Sequence, residues 1–130
     1  APDNQDQEIA KRIHPSPART DTVFVFSSDK MGDGDNELGI ILMKAFINTV
    51  STNDSIPDKM IFYNSGVLLT ATGSGVVDDL QLLHNKGVEI LICGTCVNFY
   101  NIGDKINTGI ISNMYDILTS MNNASLIIKP

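Results

Sequence analysis

The chain has no tryptophan, only two cysteines, and nine lysines and arginines among its 130 residues. Each scarcity removes a class of protein. Two cysteines do not make the dense disulfide framework of a small secreted domain, and a chain of this length buries a core without one. Nine basic residues scattered against fifteen acidic ones leave a formal charge of −6, so no cationic patch awaits a nucleic acid. No apolar run approaches the roughly 20 residues that span a bilayer. The first twenty residues lack the apolar core of a secretory signal. A cytoplasmic setting and no membrane partner are the expectation, and there a C-x-x-C pair points to redox, metal or thiol chemistry more than to a structural bridge.

What is present describes a globular domain, with 42% apolar and 18% charged residues. Residues 1–20 are polar and hold Pro2, Pro15 and Pro17, the composition of a disordered or linker segment. From residue 21 to 130 one domain is expected. Strand-like runs at 22–28, 58–66, 88–94, 108–112 and 124–129 alternate with helical ones at 37–51, 75–87 and 113–123. Leu38, Ile41, Leu42, Ala45, Phe46 and Thr49 recur at three- and four-residue intervals, the mark of an amphipathic helix. Gly87 suits the left-handed position beyond a helix end. Apolar strands separated by helices predict an α/β fold with a mostly parallel five-stranded sheet, covered on both faces because each crossover lays a helix against it.

In such sheets ligands collect beyond the C-terminal ends of the strands. There the informative residues fall: Ser28, Asp29, Met31, Gly32 and Gly34 after the first strand, Asn64, Ser65 and Gly66 after the second, and Cys93-Gly94-Thr95-Cys96 with Asn98 after the third. The glycine-rich stretch is not a dinucleotide fingerprint, since Glu37 holds the third glycine position, and it lacks the P-loop lysine. Leu38 stands where an EF-hand needs glycine. Asp33 or Asp35 is expected to cap the following helix, with Glu37 in its first turn, while Gly32 and Gly34 let this loop approach the cysteine loop.

For the cysteines three chemistries are open. A thioredoxin-type dithiol fits the spacing, but the pair follows the third strand and no proline lies between Cys96 and Pro130 to oppose it. A zinc site needs four ligands, and beyond the pair there are only His14, in the linker, and His84, near a helix end. No metal and no cofactor are expected. Cys93, last in an apolar run, reads as a buried hydrophobe. Cys96 lies where the chain leaves the sheet into a short helix, and unpaired backbone N–H groups there are expected to lower its pKa below the ordinary value of about 8.5.

Taken in order, "VFSSDKMGDGDNELGIILMKAF", "IFYNSGVLL", "VEILICGTCVNFYNI" and "ISNMYDIL" resemble the DsrE/DsrF-like family, specifically the C-terminal domain of YedF-type proteins of selenium metabolism. The resemblance covers residues 22–129. It implies a single-domain, flavodoxin-like, three-layer α/β/α fold that assembles into homo-oligomers. It further implies a sulfur or selenium relay, with a persulfide or perselenide carried on Cys96, Cys93 as its neighbour, and a TusA-like carrier domain as partner. Two other classes stay open: a non-catalytic oligomeric interaction module of the same pathway, and a Cys93–Cys96 dithiol redox protein.

Overall fold

The structure is a computed structural model that describes residues 21–130; the expected linker and His14 lie outside the described residues. Eleven segments follow in order. β1 (Thr22–Phe26) leads to α1 (Asn36–Thr52), β2 (Lys59–Phe62), a 3₁₀ segment (Asn64–Thr70), α2 (Val77–Asn85), β3 (Glu89–Cys93) and α3 (Gly94–Tyr100). A short 3₁₀ turn (Gly103–Lys105), β4 (Ile110–Ser112), α4 (Met114–Asn122) and β5 (Leu126–Ile128) complete it. All strand pairs are parallel, in the order β4-β3-β2-β1-β5. The fold is the expected α/β one.

Alternation along the strands separates the two faces. On one face Phe26 stacks on Phe62 at 4.7 Å and both Phe24 and Phe26 meet Phe46 of α1. Lys59 has the other parity, and its Nζ donates to Ser120 Oγ of α4 across the opposite face. The β4-to-β5 crossover thus runs from one sheet edge to the other, and α4 of nine residues is the helix it supplies to that face. The core of Val23, Val25, Met60, Ile61, Phe62, Ile90 and Ile92, all at most 1% exposed, lies between these layers. Among the described residues no helix is long and apolar enough to cross a membrane.

Local chemistry accounts for the boundaries. Asp35, not Asp33, caps α1, its Oδ1 accepting the Leu38 N–H at 2.9 Å. Gly87 takes the left-handed conformation at φ +103° after α2. The second strand ends four residues earlier than 66: Asn64 turns left-handed, and the chain winds into the 3₁₀ segment. A second difference concerns α1. Its buried residues are Gly39, Met43, Ile47, Val50 and Ser51, whereas Leu38, Ile41 and Leu42 of the expected apolar stripe are exposed. The helix is apolar on both sides, and Gly39 marks the inward one: a Cβ there would stand 2.9 Å from Lys30 Cβ, so the helix packs tightly on the preceding loop at this position.

Candidate functional site

β3 carries Cys93 into the core, 3% exposed, and α3 begins at once. Gly94 makes this possible, because a Cβ at that position would lie 3.1 Å from the Ser112 carbonyl oxygen and 3.2 Å from Ile111 Cγ2. Cys96 follows in the first turn of α3, half-buried, with its thiol within hydrogen-bonding reach of Cys93. Both are free thiols.

The group that reaches Cys96 from the neighbouring strand is the backbone of Asn64, whose N–H donates to Sγ at 3.0 Å. Asn64 holds φ +52°, a region in which asparagine is among the least disfavoured non-glycine residues. Its Oδ1 accepts the Ser65 N–H at 2.8 Å, and Ser65 Oγ accepts the Asp29 N–H at 3.3 Å. Gly66 then lies against the end of β1, so close that a Cβ would fall 2.1 Å from the Phe26 carbonyl oxygen. That same oxygen accepts the Tyr63 N–H at 3.1 Å. The end of β1 therefore sets the turn, and the turn sets the donor.

Cys96 opens into a cavity of about 350 Å³ lined by Asn64, Thr95, Phe99 and Tyr100. Phe99 and Tyr100 stand three and four residues beyond Cys96, on its side of the helix, and meet edge to face at 5.3 Å. Phe99 is 81% exposed. No charged side chain among the described residues lines this cavity. Burial pushes the Cys96 thiol up from its ordinary pKa, the contact with Cys93 adds to that, and the Asn64 N–H pulls back. This corrects the lowered pKa expected from the helix start. The sequence points to backbone N–H groups at the start of α3 as donors, but the hydrogen bond to Sγ comes from another strand end, and two rings border the cavity beside the thiol.

The other sequence candidates divide. Asn64, Ser65, Gly66, Gly94 and Thr95 build or line the Cys96 cavity. Asp29 faces a separate cavity with Lys44 and Ser74, and its carboxylate pairs with Lys30 at 3.1 Å. Ser28 Oγ accepts the Lys30 N–H, and Met31 packs on the core. Gly32 and Gly34 have nothing within 4 Å of an added Cβ. They therefore do not bring their loop against the cysteines; Gly32 serves a left-handed turn at φ +88° instead. Asn98 lines a larger, more polar cavity of about 500 Å³ on the far side of α3, with Asp104 and Lys105. Among the described residues no three His, Cys, Asp or Glu side chains gather to hold a metal.

No family model matches the sequence, and no curated protein matches it. Solved structures do. The ychN protein of E. coli superposes with a TM-score of 0.64 at 14% identity, over 86% of this chain and 100% of its own. A protein of unknown function from Methanobacterium thermoautotrophicum gives 0.60 at 19%, over 86% and 100%. A conserved protein of unknown function from Bacteroides thetaiotaomicron gives 0.53 at 14%, over 85% and 95%. The chain shares their fold. At these identities the likeness is one of architecture alone.

Proposed function

We propose that the protein is a sulfur or selenium relay of the DsrE/DsrF-like kind, with Cys96 as carrier. The observation that supports this most is the pairing of a half-buried Cys96 thiol with the Asn64 N–H at 3.0 Å, at the mouth of an apolar cavity and beside a buried second thiol. In the reaction, the Cys96 thiolate attacks the outer sulfur of a donor persulfide. The S–S bond of the donor breaks, its thiolate leaves, and Cys96 holds the sulfur as Cys96-S-S⁻ without net oxidation. An acceptor thiolate attacking that outer sulfur restores Cys96. Alternatively the Cys93 thiolate attacks the inner sulfur, hydrosulfide leaves, and the resulting Cys93–Cys96 disulfide is reduced by an external dithiol. A perselenide follows the same course.

A cavity bordered by two aromatic rings and no charge favours a donor presented on another protein over a small anion, in keeping with a TusA-like carrier domain as partner and a reducing cytoplasm as setting. The exposed Leu38, Ile41 and Leu42 of α1, and Ile110, Ile111, Leu126 and Ile127 at the two sheet edges, support assembly into a homo-oligomer. The test of the relay is intact mass after incubation with a persulfide-bearing carrier protein. A gain of one sulfur on the wild type and none on Cys96→Ser is expected; equal loading of both, or none on either, overturns it.

A further inference from the structure

The backbone N–H of Asn64 is aimed at Cys96 by a chain of contacts at the ends of β1 and β2. The Phe26 carbonyl oxygen holds Tyr63, the side-chain-free Gly66 lets the 3₁₀ segment lie on that oxygen, and Asn64 between them is forced to positive φ. A non-glycine residue in that conformation carries a local cost of order 1 kcal/mol that its surroundings must offset. Such strain, directly under the thiol of a candidate nucleophile, is what fixes a donor in advance of the charge it will meet.

We propose that Asn64 is the positioning residue of the site: its left-handed backbone holds one N–H on Cys96 Sγ and thereby stabilises the thiolate form, while its side chain serves only to make that conformation accessible. The proposal rests on Cys96 being the reactive group, but it concerns ionisation and not sulfur loading. The arrangement makes the donor independent of the short helix that bears Cys96. The opposing influences are burial of the thiol and the Cys93 thiol from the end of β3. The titratable groups beside Cys96 are thus Cys93, against its thiol, and Tyr100, in the cavity wall, and the turn after β2 contributes the Asn64 amide, while the Ser65 N–H is held by Asn64 Oδ1.

Two measurements test it. In the wild-type protein, the amide proton of Asn64 followed by NMR against pH is expected to shift with the same midpoint as Cys96, measured by residue-resolved alkylation, and to lose that response in Cys96→Ser. In parallel, Asn64→Gly, which adopts positive φ freely, is expected to keep the Cys96 midpoint. Asn64→Val, which resists it, is expected to raise the midpoint by about one unit or more, as loss of a hydrogen bond to a charged group would. An Asn64 amide that stays silent while Cys96 titrates overturns the proposal, and so does an Asn64→Gly midpoint displaced as far as that of Asn64→Val. If Asn64→Val does not fold, the wild-type titration decides alone. Sulfur loading read separately by mass keeps the two readings apart: a titrating Asn64 amide with no loading refutes the relay and leaves the positioning role, and the reverse result does the opposite.

Discussion

Replacing Gly66 by alanine places one methyl group where the chain has no room for it. The added Cβ would stand 2.1 Å from the Phe26 carbonyl oxygen and 2.9 Å from its carbon, and both are backbone atoms of a central strand. No side-chain rotation relieves the clash, so the 3₁₀ segment must lift from β1 by about 1 Å to restore an ordinary contact. Overpacking of this kind costs about 3 kcal/mol at the upper end of its usual range, and for a domain of this size that lowers Tm by on the order of 10 °C. Gly34→Ala is the matched control, because that position is exposed and has no atom within 4 Å of the new Cβ; its effect should stay within about 0.5 kcal/mol. Urea melts of the two variants measure the difference. The same displacement carries the Asn64 N–H away from Cys96, so Gly66→Ala should also slow alkylation of Cys96 at fixed pH. A Gly66→Ala protein as stable as Gly34→Ala would refute the claim that the end of β1 fixes the site.

Two further outcomes follow from the same contacts. Cys96 is an acid whose pKa is raised by burial, so it is neutral below that pKa and its alkylation should accelerate with rising pH, reaching its plateau above the ordinary thiol value of about 8.5; a plateau below that value would mean that the cavity does not desolvate the thiol. On α1, Ile47→Ala empties a core position that is 0% exposed and should cost about 2–5 kcal/mol in a denaturant melt, whereas Ile41→Lys, 58% exposed, should leave the isolated subunit within about 0.5 kcal/mol and weaken self-association in sedimentation.

Much of the architecture was legible because strand-length apolar runs and the Gly87 stop have few other uses in a chain of this size. The sites of Asn64, Ser65 and the cysteines were legible for a topological reason: parallel strands deliver their C-terminal ends to one rim, whatever the side chains. What the sequence hid was which of two apolar stripes on α1 faces inward. Periodicity counted Leu38, Ile41 and Leu42, while the inward stripe is marked by Gly39, a residue that periodicity scores as nothing. Phe99 and Tyr100 were missed although their i+3 and i+4 spacing from Cys96 was available to be read. A helix start alone suggests a lowered thiol pKa, whereas burial of Cys96 and its contact with Cys93 push it up, and burial is a property of the fold and not of the local sequence.

The pairing of β5 with β1, Thr22 opposite Leu126, has a consequence for biosynthesis. On the ribosome β1 and β2 can meet as soon as the segment after α1 has emerged, but the other flank of β1 has no neighbour until the segment after α4 arrives. Through most of translation Val23, Phe24 and Val25 therefore border an unpaired strand edge, the kind of surface on which nascent chains mispair. Delay or truncation within the last strand would be expected to appear as aggregation of the newly made chain.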